Sequence, residues 1–401
     1  MYKQRTLEKQ IIEMNKQFKV LLITGARQVG KSTLLKYCDE NRDYVTLDDY
    51  KARELAINEP ELFLQRYKAP VIIDEIQYAP NLLSYIKIAV DNNNEKGQYW
   101  LTGSQQFHMM KNVTESLAGR VAVLNLNGFS LKEIENEEQI PFIPTNEFIK
   151  QMRKTSKSQD LTSVYEFIWR GSYPDINVNN LNWETFYSSY LQTYIERDIK
   201  DLNAVKNEMD FLKFLKVLAS RTGQMLNYTD IATEIGVSVM TIKSWVSILV
   251  SSNIVYLLQP YFSNLNKRIV KTPKIYFLDT GLCSYLTNWE TAKTLESGAM
   301  SGAMFETFVV SEIIKSYVHN AKMPNIYYYR DKDKKEIDVI IEKNSKLYPI
   351  EIKKTANPDK SMLKHFSIIP NEKLGEGSVI CLCKEDFPIT EKVNAIPVSY
   401  I

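Results

Sequence analysis

Short apolar runs alternate with amphipathic stretches over the first third of the chain. Residues 19–24 (KVLLIT), 44–47, 71–73, 99–101 and 121–126 read as about five strands, and helical patterns such as 82–90 lie between them. Alternation of this kind predicts an α/β fold built on a parallel, doubly wound sheet. After Asn127 the pattern turns helical and more charged. Residues 132–139 are acidic, and residues 150–160 are polar without apolar periodicity and read as a loop. Residues 183–202 form one amphipathic helix with Tyr187, Tyr190, Leu191, Tyr194 and Ile195 on a shared face, a stripe that reads as core.

A smaller unit follows. Residues 211–220 are helical by period, Thr229 caps 230–235, Gly236 turns the chain, and Ser238 caps 239–251. Strands at 254–259 and 274–278 flank a basic loop at 263–268, so the order is that of a helix-turn-helix with a wing. Its second helix would present Ser238, Thr241, Lys243 and Ser244 to phosphates and bases. Further on, residues 336–341 and 348–353 read as a hairpin.

The chemistry sits at the ends of these elements. The first strand runs into Gly25, Ala26, Arg27, Gln28, Val29, Gly30, Lys31, Ser32 and Thr33, which match G-x-x-x-x-G-K-[ST]. Two glycines let the loop turn its N–H groups onto phosphate oxygens, Lys31 brings a charge to the β- and γ-phosphates, and Ser32 offers a hydroxyl to Mg2+. The helix that follows points its positive end at the same place. The strand at 71–73 leads into Asp74, which suits a Mg2+-holding carboxylate, and Glu75, which suits the base that activates a water. Thr102 and Ser104 both qualify as γ-phosphate sensors at the end of the strand at 99–101, and Ser104 is preferred. Positive charge for the transition state comes from Arg120, acting in cis or from a neighbouring subunit, with Arg27, Arg170 and Arg197 as competitors. These features predict ATP and Mg2+ as cofactors.

In the hairpin, Asp338 and Glu351 fall at adjacent strand positions, and Lys353 shares the face of Glu351. The two carboxylates suit a second Mg2+ or Mn2+, and the lysine an activated water. Cys381 and Cys383 read as small core residues. The composition of 44% hydrophobic and 24% charged residues is that of a soluble globular protein, and 401 residues suggest two or three domains. A net charge of +2 removes any global nucleic-acid signature and leaves a local basic patch open. No apolar run reaches the ~18–20 residues of a membrane span, the amino end lacks a secretory pattern, and four cysteines are too few for a disulfide scaffold. The expectation is a cytoplasmic protein with no membrane partner.

Taken in order, TGARQVGKST, VIIDEIQ, LTGS, SLAGR, RGSYP, YIERDIKDL, YFLDTGL, FETFVVSEI, YYR before EIDVII, and PIEIKK resemble bacterial and archaeal AAA-family ATP-binding proteins with a C-terminal PD-(D/E)XK nuclease-like domain. The resemblance spans nearly the whole length. It implies an AAA-type P-loop NTPase sheet of the ASCE branch over 1–127, a helical lid over 128–205, a winged helix over 206–285 and a PD-(D/E)XK-like α/β domain over 286–401. It carries nucleotide roles onto Lys31, Ser32, Asp74 and Glu75, and metal roles onto Glu306, Asp338 and Glu351 with Lys353 beside them. Ser172 departs from the family's usual glycine, so a different local turn is expected there. The expected activity is an ATPase whose cycle controls a metal-dependent nuclease acting on nucleic acid, DNA before RNA, in a homo-oligomer. The alternative is an ATP-dependent switch or DNA-binding regulator with an inactive nuclease fold.

Overall fold

The computed structural model describes residues 2–103, 116–194, 207–262 and 272–401. They form two compact units: residues 1–128 with 251–253 and 318–321, and the remainder.

The first unit contains α1 (Leu7–Asn15), β1 (Val20–Thr24), α2 (Lys31–Cys38), β2 (Asp43–Thr46), α3 (Tyr50–Asn58), α4 (Pro60–Arg66), β3 (Val71–Asp74), α5 (Leu82–Asn92), β4 (Tyr99–Gly103) and β5 (Val121–Asn125). The strands lie in the order β2-β3-β4-β1-β5, all paired parallel. Every residue of β1, β3 and β4 is buried, as expected for strands covered on both faces. Val20, Leu22, Ile73 and Leu101 meet Leu82, Ile86 and Val90 of α5 in one apolar core. Register aligns Thr24 with Gly103 and Thr46 with Asp74, which gathers the carboxyl ends of these strands on one edge. Ligands of such sheets bind outside that edge.

The second unit begins with helices α6 (Leu131–Glu135), α7 (Asn146–Thr155), α8 (Leu161–Arg170), α9 (Pro174–Asn177) and α10 (Trp183–Tyr194). The loop expected at 150–160 is half helix. The buried stripe of α7 is Phe148, Ile149 and Met152, so most of its apolar signal lies ahead of the polar window. Thr145 caps it, and Asp160 caps α8. The aromatic face of α10 is core, with Tyr187, Tyr190, Leu191 and Tyr194 buried. Ile195, Arg197 and the basic loop at 263–268 lie outside the described residues.

Next come α11 (Glu208–Ala219), α12 (Tyr228–Ile235), α13 (Val239–Ser251), β6 (Val255–Leu258) and β7 (Lys274–Phe277). Asn227 rather than Thr229 caps α12, its side chain accepting from the N–H groups of Thr229 and Asp230. An asparagine two residues earlier does the same chemistry better than threonine. Gly236 ends the helix at φ 85°, and Ser238 Oγ accepts from Thr241 N–H at 3.1 Å. Strands β6 and β7 pair antiparallel.

The remaining elements are α14 (Thr280–Leu286), α15 (Ala292–Ser297), α16 (Ser301–Val318), β8 (Ile326–Arg330), β9 (Glu336–Lys343), β10 (Lys346–Ile352), β11 (Gly377–Cys381), β12 (Phe387–Thr390) and β13 (Val393–Pro397). Six strands form a mixed sheet in the order β12-β13-β11-β10-β9-β8. Cys381 and Cys383 are buried in its core beside Val379 and Ala395. No single helix among the described residues is long and apolar enough to cross a membrane.

Candidate functional site

Strand β1 hands the chain to a loop that only glycine can begin and end. Gly25 stands at φ 147° and Gly30 at φ 91°, both in the left-handed half of backbone space. A Cβ on Gly25 would run into the carbonyl oxygen of Leu126. Gly30 then starts α2, whose first side chain, Lys31, is buried and folds back over the loop. Its Nζ donates to Gly25 O at 3.1 Å and Ala26 O at 2.8 Å. Arg5, ahead of α1 and buried, ties the loop down by donating to Val29 O at 3.0 Å and Asn127 O at 2.7 Å.

Ser32 Oγ lies 2.8 Å from both carboxylate oxygens of Asp74, across the gap between β1 and β3. Strand β4 sits between those two strands and inserts Thr102. The Thr102 hydroxyl donates to Asp74 Oδ1 and accepts from Glu75 N–H, the latter at 3.1 Å. Tyr44 of β2 donates its hydroxyl to Asp74 Oδ2 at 2.7 Å. Burial and the neighbouring Asp74 push the Tyr44 phenol up, so it stays a donor. Glu75 stands at φ 58°, a costly backbone for a residue with a side chain. Gln77 Nε2 donates to its Oε2. Thr102 therefore takes the position between the two motifs, while Ser104 lies outside the described residues. Tyr44, Gln77 and Arg5 were not predicted: Tyr44 is on a neighbouring strand, and no short motif contains it.

A second cluster lies in the other unit. Asp338 of β9 is buried, and its Oδ2 accepts from Ile352 N–H of β10 at 2.8 Å. Lys353 Nζ is 2.7 Å from Glu351 Oε1 and 3.7 Å from Asp338 Oδ2. Burial, then Glu306 and Glu351, push the Asp338 carboxyl up to about 8. Burial opposes the Lys353 charge, but Asp338 and Glu351 outweigh it and hold the ammonium above its ordinary value. Glu306 of α16 is engaged by Lys274 Nζ at 3.2 Å and Tyr276 Oη at 2.6 Å. The expected metal set of Glu306, Asp338 and Glu351 thus has lysine ammonium groups among its neighbours. No group of three or more His, Cys, Asp or Glu side chains among the described residues is placed to hold a metal ion.

Residues 17–135 match the family model of an AAA domain. This region is an AAA-type P-loop ATPase domain. Residues 161–293 and 301–401 match two families described as domains of unknown function, DUF8612 and DUF4143. Uncharacterized protein Rv2008c of Mycobacterium tuberculosis is 25% identical over 386 residues, 95% of this chain and 80% of that one. Uncharacterized protein MJ1637 of Methanocaldococcus jannaschii is 23% identical over 343 residues, 74% of this chain and 67% of that one. The Walker-type ATPase PABY2304 of Pyrococcus abyssi covers 71% of this chain and 96% of its own, at 15% identity and TM-score 0.42.

Within the ATPase domain, Arg120 is misplaced for a role in cis. It precedes β5, whose Val121 is level with Val20 at the amino ends of the strands. The P-loop is at the other end of β1, about 16 Å away for five residues of strand. Arg120 instead pairs with Asp91 of α5 at 2.6 and 2.9 Å. Arg170 donates to Ile176 O at 2.8 Å, inside the second unit.

Proposed function

We propose that the protein is a Mg2+-dependent ATPase that works as a molecular switch, with a nuclease-like fold as the module under its control. The observation that carries the ATPase half is the pair of 2.8 Å contacts between Ser32 Oγ and the Asp74 carboxylate. A hydroxyl and a carboxylate so placed are hard oxygen donors that suit Mg2+, which would supply charge neutralisation at the phosphates. Gly25 to Thr33 would wrap the phosphates of ATP, with Lys31 released from its two carbonyl partners to reach them. Glu75, one residue beyond Asp74, would orient or deprotonate the attacking water. Thr102 aligns both, through its bonds to Asp74 and to the Glu75 backbone. Arg120 would act across a homo-oligomer interface.

The test is phosphate release with Mg2+. Lys31→Ala should lose nucleotide binding. Glu75→Gln should keep binding and lose turnover by about 10²-fold or more.

In the second unit, α11 to α13 followed by the β6–β7 hairpin support a winged-helix reading, and Lys243 and Ser244 are exposed on α13. DNA contact by that face is part of this proposal. A second reading, an active nuclease, is favoured by the convergence of Asp338, Glu351 and Lys353. Metal-dependent cutting of DNA or RNA that Asp338→Ala removes would establish it, and intact substrates with ATPase turnover preserved would leave the switch.

A further inference from the structure

The acidic cluster of the C-terminal sheet is met by a lysine from another part of the fold. Lys274 opens β7, and its side chain is only 4% exposed. Its Nζ lies 2.5 Å from Glu336 Oε1 and 3.2 Å from Glu306 Oε1. Tyr276, on the same face of β7, donates to the same Glu306 oxygen at 2.6 Å. The ring of Tyr328 lies 5.6 Å from the ammonium. Arg330 completes the neutralisation of Glu336 at 2.9 Å. One internal ammonium thus faces carboxylates on both α16 and β9.

That lysine does not float. Gly223 N–H donates to Ile275 O at 2.7 Å, and Ile275 N–H donates to Gln224 O at 3.0 Å, so β7 is pinned to the turn after α11. Just past β6, Gln259 O accepts from Tyr328 N–H at 3.0 Å, and Tyr261 N–H donates to Tyr328 O at 2.6 Å. The β6–β7 hairpin is therefore hydrogen-bonded to β8, the edge strand beside β9. Buried carboxylates need a positive partner, and a divalent cation and an ammonium cannot share the same oxygens without strong repulsion.

We infer that Lys274 is a built-in cation that closes the Glu306–Glu336 pair beside Asp338 to divalent metal, an autoinhibitory contact released when its ammonium leaves those two carboxylates. The inference rests on the nuclease-like reading of Asp338, Glu351 and Lys353, whose geometry it deepens. Opening would expose oxygens of Glu306 and Glu336 that a hard cation prefers.

The experiment is a Mn2+ titration of the full chain without nucleotide, read by electron paramagnetic resonance. Wild type is compared with Asp338→Asn, with Lys274→Met, and with Lys274→Gln. Wild type should show no Mn2+ site that Asp338→Asn removes. The Lys274 variants should gain a site at least about tenfold tighter, which adding Asp338→Asn abolishes. A wild-type site removed by Asp338→Asn overturns the lock, and so does a folded Lys274 variant that gains nothing. Should Lys274→Met fail to fold, Lys274→Gln and the wild-type comparison carry the decision. Mn2+ gained without cleavage of nucleic acid upholds the lock while removing the nuclease reading. Cleavage by wild type through a site already open removes the lock and leaves that reading.

Discussion

Around Asp74 the work is divided among single atoms. Its two oxygens take hydroxyls from Ser32, Thr102 and Tyr44, and Thr102 also receives the Glu75 N–H. Thr102→Val removes both of its bonds at once, so turnover should fall by about tenfold or more, while Thr102→Ser restores it. Steady-state kinetics on the two variants check this. Gly25, Gly30, Lys31 and Ser32 were legible because a P-loop is one contiguous string. Thr102 and Ser104 read alike on the chain; the sheet order shows Thr102 facing Asp74, and Ser104 lies outside the described residues. In the other unit, Asp338 is pushed up to about 8. A carboxyl raised above its unfolded value of about 3.9 binds a proton more tightly when folded, so stability falls as pH rises between the two. Thermal melts from pH 5 to 9 should show this loss in wild type and a flatter profile in Asp338→Asn.

Elements were read well where one face carries the pattern and poorly where partners are distant. The parallel core strands appeared as near-continuous apolar runs, as burial on both faces requires. Helix α7 was hidden because its apolar residues crowd its first half. The RGSYP and DTGL segments had no reason to be linked on the chain, yet Asp279 joins them. Its carboxylate accepts from Ser172 N–H and Oγ and from Tyr187 Oη, all at 2.7 Å, and from Leu282 N–H at 2.6 Å. Ser172, where a different local turn was expected, supplies two of these bonds, one from its backbone and one from its hydroxyl. Its backbone is not among the left-handed residues, and the strained position is Gly171 at φ 81°. Asp279→Ala leaves buried donors unpaired and should cost about 3 kcal/mol, whereas Ser172→Gly should cost about 1 kcal/mol. Urea unfolding monitored by tryptophan fluorescence would separate them. Arg120 carries the opposite lesson: nearness to a strand says nothing until it is known which end of the sheet that strand presents.

At the scale of the whole molecule, an ATPase domain and a second compact unit share one chain. The first unit presents a nucleotide-binding loop closed upon itself, with Lys31 donating to Gly25 and Ala26. The second presents carboxylates closed by Lys274. In both places the charged groups are satisfied internally. The most direct test is ATP hydrolysis by the purified chain, with and without Mg2+, comparing wild type with Glu75→Gln. Mg2+-dependent phosphate release lost in the variant, with ATP binding retained, is the predicted result. Equal release from both proteins would contradict the account at its centre.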